Sequence, residues 1–278
     1  MKKVQKLLES LRILLKRIID NPGCLFYYPV LVFYSLKGTD HLIPFYKKIK
    51  TLGWKETIDY LIANRKSFVR FGTGESQIAM NMGFYGTVSA QNAIPLLSKR
   101  MRDLFKQDKV VIGILPTYLT ATKKQLKEKG NYEMHLRGKV FLRNKLKTNA
   151  LYGDAVAFRC YFDVYDYIES FLSNKRVVII SRKNENIENY NVGKEKLFVE
   201  IPTTFAFEKY SEITKKVEQL IVDKKLDPQD TIFLLAAGPT AKPLTIDIDA
   251  RGFMAWDVGS FFEDCAFKKI GYGHKTTL

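Results

Sequence analysis

The run Ser67-Phe-Val-Arg-Phe-Gly-Thr-Gly-Glu-Ser76 is the part of the chain best equipped for chemistry. Gly72 and Gly74 let a backbone approach a ligand closely and permit positive φ. Glu75 adds a carboxylate that could meet a metal ion or a sugar hydroxyl. Phe68 and Val69 form a short apolar β-type run before the glycines, and Ser76 to Met82 reads as the start of a helix. A buried strand ending in a Gly-rich turn before a helix is how α/β folds build phosphate sites. Gly-x-Gly-Glu alone also suits an ordinary strand-to-helix turn, so the surrounding elements must decide.

Those elements alternate. Trp54 to Asn64 reads as a helix leading into the Phe68 strand, and Ile94 to Phe105 as a basic helix. Lys109 to Leu115 is a continuous apolar run, typical of a buried parallel strand, and Pro116-Thr117 ends it. Ala150 to Phe158 holds Tyr152-Gly153-Asp154 and leads to Arg159. A helix over Val164 to Leu172 and a strand over Arg176 to Ile180 follow, with Ser181 and Arg182 at the strand's carboxyl end. Lys194 to Ile201 reads as a strand and Phe207 to Val222 as a helix. Thr231 to Ala236 is a buried strand running into Ala237-Gly238-Pro239-Thr240-Ala241, and Phe253 to Asp257 is a further strand. This alternation predicts an α/β fold with a mostly parallel sheet and helices on both faces. Ligands in such sheets bind outside the carboxyl ends of the strands. Gly74-Glu75, Ser181-Arg182, Gly238-Pro239-Thr240 and Asp257 all fall on that edge.

The 278 residues suffice for one large α/β domain. Cys24, Cys160 and Cys265 have no metal-ligand spacing and form no disulfide framework, which fits a reducing cytoplasm. His41, His135 and His274 are scattered. The formal charge of +16 implies an anionic partner: nucleic acid, an acidic membrane face or a phosphorylated substrate. Residues 96–147 carry much of it and read mainly as a solvated helical surface. No aromatic platform or nucleic-acid signature accompanies them.

Residues 1–50 form a basic N-terminal extension to the domain at 51–278. Val4, Leu7, Leu8, Leu11, Leu14, Leu15 and Ile18 share one helix face, with lysines and arginines around much of the rest. Asn21-Pro22-Gly23 stops that helix, and Leu25 to Leu36 is almost wholly apolar and aromatic. That stretch is too short to span a bilayer, which takes about 20 residues. It suits the anionic cytoplasmic membrane surface, or else packing on the protein's own core or on a second subunit.

Phe68-Val-Arg-Phe-Gly-Thr-Gly-Glu75 resembles the Arg-Phe-Gly-Asp-Gly-Glu signature of the GT-D glycosyltransferases, a bacterial family first catalogued as a domain of unknown function. Ala237 to Ala241 resembles that family's Leu-Gly-Pro-Thr-Ala turn, and Ala255-Trp-Asp-Val-Gly259 its Ala-Ile-Asp-Ile-Gly strand end. Gly153-Asp154 through Arg159 is similar to a family segment that ends in arginine. The likeness runs from about residue 54 to 267 and leaves out residues 1 to about 50. It implies a Rossmann-like GT-D fold and transfer of a sugar from a nucleoside diphosphate donor, typically UDP-linked, to a growing glycan. It also implies a divalent cation, Mn²⁺ or Mg²⁺, associated with the signature Asp-x-Glu and the donor diphosphate.

The leaving diphosphate needs its charge neutralised, and the attacking hydroxyl needs a base. Arg70, Glu75, Arg159 and Arg182 are candidates for the first task, beside Gly72, Thr73, Gly74 and Asp257. The turn from Gly238 through Pro239 and Thr240 to Ala241 could offer backbone N–H groups to a phosphate, the proline itself having none. Thr73 stands where the family has aspartate, so Glu75 is the one signature carboxylate left and metal is expected to be weakly held or unused. The family tail His-x-Asp-x-Glu-Tyr-Glu-Trp is Ser260 to Phe267 here, which leaves Asp264 as the candidate base. Because Glu75 stands in a turn, its loss is expected to spare the fold. A lipid-linked acceptor would place the protein peripherally on the inner face of the cell membrane, and self-association is compatible with the extension. No nucleic-acid partner is expected. The rivals are a non-catalytic partner of another transferase and a basic nucleic-acid-binding protein.

Overall fold

Val177 and Ile179 enter one apolar core while Val178 and Ile180 enter another, and all four are fully buried. A strand apolar on both faces needs a layer of helices on each side. The computed structural model describes residues 27–82, 94–115, 119–130, 132–159, 164–183 and 192–263, together with Ile19, Leu25 and Ile187. Its strands are β1 (Lys50–Thr51), β2 (Phe68–Arg70), β3 (Val111–Ile114), β4 (Leu151–Asp154), β5 (Arg176–Ser181), β6 (Glu195–Glu200), β7 (Thr231–Ala236) and β8 (Met254–Asp257). They form one sheet in the order β1-β4-β3-β2-β8-β7-β5-β6. Every neighbouring pair is parallel, as the continuous apolar runs predict.

The helices are α1 (Tyr28–Lys37), α2 (Ile43–Tyr46), α3 (Trp54–Ala63), α4 (Thr73–Ala79), α5 (Pro95–Asp103), α6 (Lys123–Glu128), α7 (Tyr132–Arg143), α8 (Val164–Leu172), α9 (Tyr210–Asp223) and α10 (Ala241–Asp249). On one face of the sheet, α3 supplies Ile58 and Leu61, and α8 supplies Val164, Ile168 and Leu172. On the other, α4, α5 and α7 cover Val69, Ile112 and Ile114, while α9 and α10 cover Phe233 and Leu235.

The structure differs from the sequence reading in two places, and at α1 it bears on an alternative that reading left open. Lys50–Thr51, a polar connector by composition, is the edge strand and pairs with Leu151 and Tyr152 across the boundary expected near residue 50. The start of α1 packs on the same core, with Leu31 buried and Tyr28 and Tyr34 partly so. The basic stretch 96–147 is not all solvated surface. Helix α7 buries Leu136, Val140 and Phe141, and even Lys139, whose ammonium donates to the Ala121 carbonyl. The helix expected over 4–18 lies outside the described residues.

Close contacts fix the middle of the sheet. Gly113 of β3 faces the ring of Phe68 so closely that a Cβ there would lie 2.5 Å from Cζ and 3.0 Å from the Ala155 backbone. Phe68 is fully buried and its ring packs on Phe158, so it has nowhere to retreat. Gly113→Ala is therefore expected to cost about 1–3 kcal/mol by overpacking. Denaturant unfolding of the variant would measure this, and an unchanged midpoint would contradict the packing argument.

Candidate active site

The chain changes direction across the sheet where β2 meets β8, and the carboxyl ends there carry the expected residues. Ser67 Oγ accepts from Ala255 N at 3.0 Å, and Trp256 Nε1 donates to Lys66 O at 3.0 Å, which locks the two strands in register. Trp256 is fully buried between Phe158 and Phe171. The next residue, Asp257, is thereby held at the strand end with no exposure.

Asp257 Oδ2 accepts from the Arg70 backbone N–H at 3.1 Å, and its Oδ1 lies 3.5 Å from Arg70 Nε. The Arg70 guanidinium then lies over Gly259, whose φ is +56°. A Cβ there would meet Arg70 Nη2 at 1.6 Å, so the position needs glycine twice over. Glu75 sits in the first turn of α4, and its Oε2 accepts from Gly72 N at 2.9 Å. Its Oε1 lies 2.7 Å from Lys242 Nζ. Lys242, from the first turn of α10, also reaches Asp257 Oδ2 at 3.0 Å and Gly238 O at 3.2 Å. Burial alone would raise the Glu75 carboxyl, but Lys242, the backbone N–H and Arg70 outweigh it and hold it below its ordinary value. Burial likewise pulls the Lys242 ammonium down, and Asp257 and Glu75 outweigh that and hold it above its ordinary value.

Beside this buried cluster lies an open cleft of about 240 Å³. Arg70, Arg159, Arg182, Gly238, Pro239 and Thr240 line it, so six of the expected residues come together. Its far wall is Ile201 to Thr203, Phe205 and Ala206, and Gly259, Ser260, Phe262 and Glu263 close another side. Glu263 pairs with Arg182. Thr240 is buried, and its hydroxyl has no partner among the described residues. Phe205 holds φ of +53°, a left-handed conformation that is strained for a bulky side chain. Gly72, Thr73, Gly74, Glu75 and Asp257 are not among the cleft residues. Glu75 and Asp257 stand behind it, as supports for Arg70. Asp264 lies outside the described residues. Sequence reasoning missed Lys242 and Phe205. A lysine on the sheet-facing side of a helix, one turn after Gly-Pro-Thr, was the available signal for the former.

A family model of the glycosyltransferase GT-D fold matches residues 68–275, from the signature turn to beyond the cleft. The chain belongs to the GT-D family. It is 22% identical over 248 residues to a probable glycosyl transferase Gly of Streptococcus gordonii, covering 84% of this chain and 35% of that protein. It is 22% identical over 251 residues to the glycosyltransferase GlyD of Streptococcus pneumoniae, covering 82% and 30%. The chain thus spans about a third of the length of the curated relatives it matches. Two solved structures share the fold. One is described as the highly conserved domain of unknown function 1792 with a distinct glycosyltransferase fold, with a TM-score of 0.68, 19% identity, and coverage of 85% of this chain and 87% of that one. The other is a new glycosyltransferase of the same domain family from Streptococcus sanguinis, with a TM-score of 0.65, 21% identity, and coverage of 83% and 88%.

The GT-D resemblance associates a divalent cation with the signature carboxylates, and the residues here do not fit one. Thr73 is neutral. Both Glu75 oxygens are engaged, one by Lys242 and one by Gly72 N. Asp257 Oδ2 is shared by Lys242 and Arg70 N. Among the described residues no three His, Cys, Asp or Glu side chains are grouped to hold a metal ion.

The cluster also corrects the expectation that Glu75 is dispensable for folding. Glu75→Ala would leave Lys242 buried and half paired, at a cost of about 3 kcal/mol or more. The pH dependence follows from the two shifts. Glu75 contributes stability above its unfolded value of 4.5, and loses it as pH falls through its lower native value. Lys242 contributes below its unfolded value of 10.5, and loses it as pH rises through its higher native value. Wild type should therefore exceed Glu75→Gln in stability near neutrality, and that margin should shrink in acid. A pH series of unfolding curves checks this, and a margin independent of pH would contradict it.

Proposed function

We propose that this chain is a glycosyltransferase that moves a sugar from a nucleoside diphosphate donor, UDP-linked, to a growing cell-surface glycan. The observation that carries the reading is the convergence of Arg70, Arg159 and Arg182 with the Gly238–Thr240 turn in one cleft at the carboxyl edge of a parallel sheet. As the anomeric C–O bond breaks, its electron pair passes to the leaving diphosphate. Guanidinium groups fixed in advance stabilise that charge in the transition state more than they stabilise the bound donor. The buried Thr240 hydroxyl, which has no partner among the described residues, adds a donor to the same anion. The acceptor oxygen forms the new bond to the anomeric carbon while a carboxylate takes its proton, and we assign this to Asp264. Attack opposite the leaving group would invert the anomeric centre.

Phe205 supports a nucleobase subsite. Its ring is half-buried at the cleft wall, and its backbone strain is retained there. Strained residues cluster at ligand sites. Stacking of a base on an aromatic ring contributes about 1–3 kcal/mol. Phe205→Asn, which tolerates the left-handed backbone, should keep the fold stable and weaken UDP binding about tenfold, on the same stacking scale. Arg159→Ala should weaken it by a similar factor or more, since a charged hydrogen bond contributes about 1.5–3 kcal/mol. Calorimetric titration with UDP, UDP-sugars and single-stranded DNA separates the readings. Binding of UDP without turnover would favour the non-catalytic partner, and salt-sensitive binding of DNA alone would favour the nucleic-acid reading.

The acceptor is proposed to be lipid-linked, with the protein resting peripherally on the inner membrane face. Among the described residues no helix is long and apolar enough to cross a membrane. Helix α1 does expose Val32, Phe33 and Leu36, with the Lys37 ammonium over the Phe33 ring. Exposed Lys47, Lys48 and Lys50 follow it in the chain. An apolar strip beside basic residues suits an anionic lipid surface. Full-length protein should float with anionic liposomes at low salt, and Phe33→Asp with Leu36→Asp should reduce the floated fraction. Equal flotation of wild type and variant would assign α1 to packing or self-association instead.

A further inference from the structure

Lys242 already fills the place where the strand-end carboxylates need a positive charge. Its three ammonium hydrogens have three acceptors, Glu75 Oε1 at 2.7 Å, Asp257 Oδ2 at 3.0 Å and Gly238 O at 3.2 Å. The side chain is almost fully buried, as is that of Asp257. Each acceptor belongs to a different part of the site. Glu75 caps the signature helix, Asp257 aims Arg70, and Gly238 opens the turn that lines the cleft. A divalent ion bridging Glu75 and Asp257 would have to stand beside this ammonium in a poorly solvated place, where like charges repel strongly. The neutral Thr73 adds nothing to draw it in.

We propose that Lys242 is the resident cation of this site. It takes the charge-neutralising place of a divalent ion at the Glu75–Asp257 edge, and it positions Arg70 and the Gly238–Thr240 turn so that a diphosphate is bound without metal. The identity of the anion rests on the transferase reading; the exclusion of metal does not. Lys242 is absent from the cleft lining, so it is a positioning residue acting through Asp257 and Gly238. The guanidinium groups of Arg70, Arg159 and Arg182 make the contact with the diphosphate.

The test uses the full chain freed of metal with EDTA and desalted. Titration with MnCl₂ alone is expected to show no saturable binding, and UDP should bind equally well in Mn²⁺ and in EDTA. Thr73→Asp restores the second signature carboxylate at a partly exposed position and should fold; with Lys242 still present it should not acquire Mn²⁺ binding. Thr73→Asp combined with Lys242→Met should acquire it, read as a Mn²⁺-dependent rise in Tm. Tight Mn²⁺ binding by wild type, loss of UDP binding in EDTA, or Mn²⁺ binding by Thr73→Asp alone would overturn the proposal. The first and third need no Lys242 variant to fold. If UDP binds under neither condition, the transferase reading fails, and the Mn²⁺ titrations still decide the role of Lys242.

Discussion

One buried ammonium group ties the centre of this molecule together. Lys242, at the start of α10, joins the distant turn after β2 to the nearby end of β8 and to the turn that precedes its own helix. Removing a lysine and two carboxylates from water is unfavourable, and only near-complete mutual pairing offsets it. The ammonium is fully paired, whereas Asp257 Oδ1 has only an ionic contact with Arg70 Nε at 3.5 Å and no hydrogen bond among the described residues. The acceptors of Lys242 match its hydrogens, and Glu75 and Asp257 take backbone N–H groups with the oxygens that face them. Such a cluster has little freedom to rearrange, because any partner that leaves strands the others in a poorly solvated place.

That rigidity passes outward to the cleft through a few contacts. Asp257 fixes Arg70, and the missing side chain at Gly259 gives the guanidinium its place. Helix α10, which carries Lys242, is itself anchored on its outer side. Asp247 accepts from Arg100 and from the Tyr210 hydroxyl, so α5, α9 and α10 are joined at one point. The cleft therefore has a fixed floor of charge and turn backbone. Its side walls are less bound, with Arg182 held by Glu263 near the surface.

Thr73 is neutral where the signature it resembles has aspartate, and Lys242 pairs with the carboxylates of Glu75 and Asp257. The arrangement keeps the two carboxylates as structural supports for Arg70 and the turn. Function at such a site depends on which groups face the open cleft, and there the cations outnumber the single carboxylate of Glu263.

The sequence by itself determined the parallel sheet, most strand and helix spans, and the sheet edge on which the candidate cleft lies. These follow from local patterns: continuous apolar runs make doubly covered strands, and Gly-rich turns end them. Of the candidates it singled out, Arg70, Arg159, Arg182 and Gly238–Thr240 meet in one cleft, since each stands at or beyond a strand's carboxyl end, while Gly72 to Glu75 and Asp257 do not line it. It did not reveal β1, because a two-residue strand carries no periodicity and exists only by pairing with β4. Nor did it reveal that Glu75 is a partly buried support, or that Arg182 is held by Glu263. Lys242 was the least legible of all. A lysine in a helix reads as solvated surface, and only the packing of α10 against β2 and β8 turns it inward between two carboxylates. Burial and charge pairing across 167 residues of chain are properties of the assembled fold, and no local pattern encodes them.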